Sequence, residues 1–430
     1  MEEGKVLKIS EPIIVADGMS RANLYALVRI GENGLAGEII DKYGDCAKIR
    51  VFGGAKGLSY GDKVISNDEP LSAELGPGLL ATVYDGVQRP LNLINMSSLD
   101  RERIWHFKPM HVFGDSVKEG DLYGTVEETG GIVHKIMVPV GKRGLIVELY
   151  EGYFRVTDRI GKIKLPDGTI EEITLMQKWP VRIPRPYAKR LLPTDVLASG
   201  QMAIDKAFPI SKGGTVCVSG SLETGKTVLL QEIVKHSDAD IVVYIGCGAN
   251  KRQINTFVGE LKGLKDIKTG RPIIERTVIV ASTADKPLAE SEVSIYTGMT
   301  IAEYYRDMGY SVAVIADSMS RFADAFSEIA GRLEEVPDKE SCAVVLCGRI
   351  EKFYERAGKV ICLGKEGRQG DVSIIGACDG DATEPAAQAT RRASKVFLEL
   401  DKSLAYYRHF PAINLRTSYS LYDKAKDLKI

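Results

Sequence analysis

The stretch VSGSLETGKTVLLQ, residues 218–231, decides the reading of the fold. It sets Gly220, Gly225, Lys226 and Thr227 in the spacing G-x-x-x-x-G-K-[ST]. TVCVSG before the loop has the apolar content of a buried strand, and VLLQEIVKH after it has helical character. Strand, glycine loop and helix in that order make an anion cradle. The glycines let the chain turn tightly, so backbone N–H groups and the positive helix end converge on phosphate oxygens. On this reading Gly220, Ser221, Leu222, Glu223, Thr224, Gly225, Lys226, Thr227 and Val228 form a nucleotide-binding loop. Lys226 reaches the β- and γ-phosphates, and the Thr227 hydroxyl ligates Mg2+. Mg2+ with ATP or ADP is therefore the expected ligand. Glu223 is discordant, since a carboxylate near phosphates repels them unless it points to solvent or to a cation. The plain alternative is a glycine turn with an ordinary surface lysine.

Further along, DIVVYIGCG, TVIVAS, SVAVIADS, CAVVLCG and DVSIIGAC read as strands alternating with longer helical segments. Nearly continuous apolar runs are what parallel strands covered on both faces require. The pattern predicts a doubly wound α/β domain. SVAVIADSMSR (311–321) ends its apolar run in Asp317, a carboxylate suited to Mg2+, directly or through water. Arg321 follows four residues on, near the strand's carboxyl end, where open α/β sheets place ligands. A helix-capping aspartate and a surface salt bridge are the alternatives for these two residues.

Working outward, YALVRIG, LAGEII, CAKIRVF and GDKVIS are short alternating stretches broken by glycine, and residues 1–70 are expected to form a small β-barrel. Residues 71–109 read as a connector and 110–185 as a second β-rich block, with PDGT as a turn signal. KWPVRIPRP (178–186) cannot be helix and marks a boundary. Residues 186–395 then hold the α/β core. From RRASKVFLEL onward the chain reads as helical and then loop-like.

Composition narrows the function. Of 430 residues, 44% are apolar and 27% charged, as in ordinary globular proteins. Lys plus Arg (57) balances Asp plus Glu (58), so the net charge of −1 gives no bulk attraction to nucleic acid or anionic membrane. No apolar run approaches the roughly 18 residues of a membrane span. MEEGKVLKIS lacks the basic and apolar blocks of a signal peptide. Seven cysteines without close pairs are expected to be buried free thiols in a reducing cytoplasm.

Taken together, several stretches resemble the A subunit of V-type and archaeal-type rotary ATPases. They are LSAELGPGLLATVYDGVQRPL, KIMVPVG, KWPVRIPRP, VVYIGCG, SIYTGMTIAEYYRDMGY, ADSMSRFADAFSEIAGRLEE, FYERAG and HFPAINL, in that order. The resemblance implies a RecA-like P-loop core with an N-terminal small β-barrel and an inserted β-rich domain, the 110–185 block. It implies Asp317 as the Walker B acid and Arg321 as the arginine on the terminal phosphate. It also implies a B-type subunit, giving an arginine in trans within a hetero-hexameric ring around central-stalk rotor subunits, with ATP turnover coupled to proton or sodium transport. Contact with the membrane is then indirect, through the ion-translocating sector, and the location is cytoplasmic. Self-association is the other assembly left open.

Three departures qualify the resemblance. After VVYIGCG the family has a glutamate that positions the attacking water, then an arginine; here Ala249 and Asn250 stand there, and the next acid is Glu260. Losing a general base typically costs about 10²–10⁴-fold in rate. Ser221, Leu222 and Glu223 replace the usual proline, apolar and small residues of the loop, and Ser291 stands where arginine is common. CDGDATEPAAQ (378–388) replaces a Pro-Pro-Gly-Gly-Asp stretch. The chain stops at Ile430, so 396–430 is expected to be only the start of a C-terminal helical domain. The expectation is an ATP-binding A-subunit-like protein with impaired or absent hydrolysis. The alternatives are an active catalytic subunit with a displaced base, and a non-catalytic nucleotide-sensing or structural ring protein.

Overall fold

The computed structural model describes residues 2–54, 57–91, 97–221, 223–283, 286–333, 339–380 and 384–422. Six strands between Glu2 and Pro70 close into a barrel, Glu2–Ser10 pairing with both Ile13–Asp17 and Lys63–Pro70. Val6, Ile14, Val28, Ile39, Ile49 and Val64 fill its interior. Closure leaves no unpaired strand edge.

The β-rich block contains two four-stranded sheets. Ile104–Pro109, Leu122–Thr129, Ile132–Met137 and Gly152–Arg155 form one; Ser116–Lys118, Arg143–Leu149, Gly161–Lys164 and Ile170–Ile173 form the other. Ser72–Leu75 on the way in pairs with Gln177–Pro180 on the way out, so the block enters and leaves the core at one place.

Two buried polar networks hold these parts on the long helix Leu288–Asp307. Glu128 accepts from the amides of Gly78 (2.8 Å) and Leu80 (3.1 Å) and from the Tyr305 hydroxyl (2.9 Å). His134 sits between Glu128 Oε2, 2.7 Å from its Nδ1, and the Tyr304 hydroxyl, 2.9 Å from its Nε2. Burial pushes the Glu128 carboxyl up, but His134 and the two amides hold it below the usual carboxylate range. In the second network Arg182 bridges Glu38 of the barrel (2.9 Å) and Glu292 of the helix (3.0 Å). Arg50 reaches Glu292 at 3.1 Å from the barrel side.

The central sheet runs Tyr419–Ser420, Val396–Leu400, Thr215–Gly220, Gln369–Asp379, Ser311–Asp317, Ile241–Ala249, Thr277–Thr283 and Val83–Tyr84. Its pairings from Val396–Leu400 through Val83–Tyr84 are parallel, and helices cover both faces. The architecture is a RecA-like α/β core with an N-terminal small β-barrel and an inserted β-rich domain. Val83–Tyr84 shows that the connector contributes an edge strand to the core. No described helix is long and apolar enough to cross a membrane.

Two readings need correction. CAVVLCG is not a strand: it lies within the helix Lys339–Tyr354. A seven-residue apolar run fits a buried strand or a helix equally, and length must decide. Leu346, Ile350 and Phe353 recur at helical spacing and are buried, while Val344 is 71% exposed. RRASKVFLEL is also not continuous helix. The helix Pro385–Ala393 ends in it, and Val396–Leu400 is a strand beside Thr215–Gly220. Its valine, phenylalanine and leucines are buried in the sheet, and that tertiary pairing outweighs the helical preference of leucine and glutamate.

Candidate nucleotide site

Thr215–Gly220 is buried throughout and delivers the loop to the carboxyl end of the sheet. Gly220 is a true glycine position, since a β-carbon there would stand 2.7 Å from Thr224 Oγ1 and 3.1 Å from the Leu400 carbonyl. Gly225 takes φ +88° and starts the helix Lys226–His236. Thr224 donates to the Ser221 carbonyl at 2.9 Å, closing the loop on itself. Leu222 lies outside the described residues. Glu223 takes a left-handed φ of +70° and is solvent-exposed, which relieves the conflict between its charge and phosphates. Val228 is 63% exposed on the helix's outer side.

Lys226 is nearly buried. Its Nζ donates to the carbonyls of Gly220 (2.6 Å) and Ser221 (2.7 Å) and lies 3.2 Å from Asp379 Oδ1. Asp317 ends the strand Ser311–Asp317, with the Gln369–Asp379 strand between it and the loop strand. Its Oδ2 accepts from the Tyr244 hydroxyl at 3.0 Å. Burial raises the Asp317 carboxyl, while hydrogen bonds from Thr227 and Tyr244 work the other way. The fold thus brings Lys226, Thr227 and Asp317 to one place. Among the described residues no three His, Cys, Asp or Glu side chains form a self-sufficient metal cluster.

Arg321 is on the first turn of the helix Met319–Leu333, with its backbone N–H 3.4 Å from Ser318 Oγ. It is exposed, and its side chain runs over Gly248, with Cγ and Cδ 3.6 Å from an ideal β-carbon there. Ala249 ends the strand Ile241–Ala249, next to Asp317's strand, and packs its methyl on the core. Asn250 caps the following helix by accepting from the Arg252 amide at 2.9 Å. Glu260 is engaged by Lys235 at 2.9 Å on the neighbouring helix. Ser291 is buried against Ser282, 2.8 Å between hydroxyls.

Sequence reasoning missed four neighbours of the site: Tyr244, Ser318, Asp379 and Phe410. Asp379 lay in the divergent CDGDATEPAAQ stretch, but only sheet pairing sets it opposite Gly220. Phe410 lies against the loop, its Cε1 3.5 Å from an ideal β-carbon on Gly225, and it lines a cleft of about 940 Å³ with Met202, Leu404 and Ile413. An aromatic-edged cleft beside a phosphate cradle is suited to a planar base. A larger cleft of about 1090 Å³ between barrel, Arg182–Arg190 and the helix Lys339–Tyr354 is remote from Lys226 and Asp317.

Three family profiles match the chain in order. They are the ATP synthase alpha/beta family beta-barrel domain at 6–67, the ATPsynthase alpha/beta subunit barrel-sandwich domain at 96–182, and the ATP synthase alpha/beta family nucleotide-binding domain at 200–420. The chain belongs to the ATP synthase alpha/beta family. Within that family it is 51% identical to a V-type ATP synthase alpha chain of Clostridium botulinum (strain Langeland) over 437 residues, 98% of this chain and 74% of that one. Identity is 49% with the V-type ATP synthase alpha chain 1 of Clostridium tetani and 48% with an alpha chain of Thermoanaerobacter sp. strain X514, at the same coverage. In this ATP synthase alpha/beta family member the loop has no room for a side chain at Gly220, Lys226 Nζ is held on the loop's own carbonyls, and the Thr227 hydroxyl is bonded to the Asp317 carboxylate.

Proposed function

We propose that this chain binds ATP or ADP with Mg2+ at the loop 220–228 and hydrolyses ATP slowly or not at all. Lys226 would hold the β- and γ-phosphates, Thr227 and Asp317 the magnesium, and Arg321 the terminal phosphate. When bound, the cation would neutralise charge on the phosphates. The chain's own groups would orient them and keep water out through the buried strand ends.

The observation carrying the impaired-hydrolysis reading is Ala249. Its methyl packs on the core three residues beyond Gly246, the strand residue opposite Asp317, and a methyl neither accepts a proton nor holds a water. Glu260, the next acid in sequence, is held by Lys235 instead. The kinship with V-type alpha chains supports a place beside B-type subunits in a ring around a rotor, with location at a membrane only through such an assembly. A single-turnover assay with Mg-ATP tests the reading. Rapid turnover by the wild-type chain, abolished in Lys226→Ala, would sink it and favour a displaced base.

A further inference from the structure

A protonated lysine has three N–H donors. Lys226 Nζ meets three acceptors: Gly220 O at 2.6 Å, Ser221 O at 2.7 Å and Asp379 Oδ1 at 3.2 Å. Two hydrogen bonds and one ion pair therefore already engage the ammonium without any ligand. Two of the acceptors are carbonyls of its own loop and are fixed by the backbone. The third belongs to a side chain 35% exposed, on a neighbouring strand whose register sets Asp379 opposite Gly220.

Asp379 is held there from the Asp317 side. Its Oδ2 accepts from the Ser318 hydroxyl at 2.9 Å, and its backbone N–H donates to Ser320 Oγ at 2.8 Å. Each carboxylate oxygen thus has a partner on the protein, Ser318 on one and Lys226 on the other. A charge-assisted contact on the one cation of the cradle is what a phosphate oxygen would make. A phosphate entering the loop must take that place and then share the site with Asp379 and Asp317, which sets three like charges close together. A divalent cation reverses the balance, because carboxylate and phosphate oxygens are the ligands Mg2+ prefers.

We propose that Asp379 is an internal stand-in for a phosphate oxygen on Lys226, which makes the site accept nucleotide as its divalent-metal complex and reject the metal-free form. This rests on the nucleotide-site reading above, and the experiment separates the two. ADP and inorganic pyrophosphate are titrated by calorimetry into wild-type, Asp379→Asn and Asp379→Ser chains, once with Mg2+ and once with EDTA. Pyrophosphate isolates the phosphate end from any contact to the base. Wild type is expected to favour the magnesium complexes at least about tenfold, and both variants to bind the metal-free ligands about tenfold tighter than wild type, with smaller changes for the magnesium complexes. Circular dichroism checks that the variants are folded. An unchanged magnesium-to-EDTA ratio in the variants overturns the proposal. So does equal wild-type affinity in the two conditions, whatever the variants do. Failure of every protein to bind under either condition overturns the nucleotide-site reading itself, and this inference with it.

Discussion

The Tyr244 hydroxyl donates to Asp317 Oδ2 at 3.0 Å, from the strand that ends five residues later in Ala249. One strand therefore still orients the carboxylate expected to face magnesium while lacking the side chain expected to direct water.

Tyr244→Phe removes that donor and leaves the half-buried Asp317 carboxylate less satisfied. A hydrogen bond to a charged group contributes about 1.5–3 kcal/mol, so Mg-ADP affinity is expected to fall about tenfold or more. Calorimetric titration checks it, and an unchanged Kd would assign the tyrosine to packing against Phe257, 5.0 Å between ring centroids.

Lys226→Ala removes the cradle's cation. Nucleotide affinity is expected to drop by about 100-fold, two factors of ten at about 1.4 kcal/mol each. Displacement of a fluorescent nucleotide reads it directly.

Glu292 links barrel and core through Arg182 and Arg50, with Glu38 and Arg349 also facing it. Burial pushes its carboxyl up, but the guanidiniums overcome this and pull it from 4.5 to about 2. A depressed carboxylate stabilises the fold above its unfolded pKa and loses that contribution as pH falls through the folded one. The contribution is about 3 kcal/mol, present at neutral pH and fading from about pH 4.5 toward 2. Glu292→Gln is expected to cost about 3–5 kcal/mol at pH 7, because Arg182 and Arg50 lose a buried partner. Urea denaturation from pH 7 to 3 should show the gap between the two proteins shrinking with acid; a constant gap would contradict the linkage.

The helix over Lys339–Tyr354 gives opposite expectations for two apolar residues on its different faces, Ile350 and Val344. Ile350→Ala should cost about 2–5 kcal/mol, and Val344→Lys should stay within about 0.5 kcal/mol. Thermal melts decide between this helix and a strand, in which the run would be buried on both faces.

Much of the site was legible because it is local. Gly220 through Thr227 carry loop, helix start and cation within eight residues, and Asp317 ends an apolar run that is a buried strand. What escaped depends on pairing between distant segments. Asp379 meets Lys226 only because the Gln369–Asp379 strand inserts between the loop strand and Asp317's strand. His134, Glu128 and Tyr304 likewise meet across 170 positions of sequence, with no periodicity to announce it. CAVVLCG was misread because apolar content does not distinguish a sheet interior from one helix face. Only its continuation to Ile350 and Phe353 at helical spacing does.

The central claim is that Ala249 is what separates nucleotide holding from nucleotide splitting. Single-turnover hydrolysis of Mg-ATP by wild-type and Ala249→Glu chains, measured side by side, tests it most directly. A slow wild type and a gain of about 10²-fold or more in the glutamate variant are expected, the size of effect typical for a restored base. Equal rates in the two proteins, with wild-type turnover fast and lost on Lys226→Ala, would contradict it.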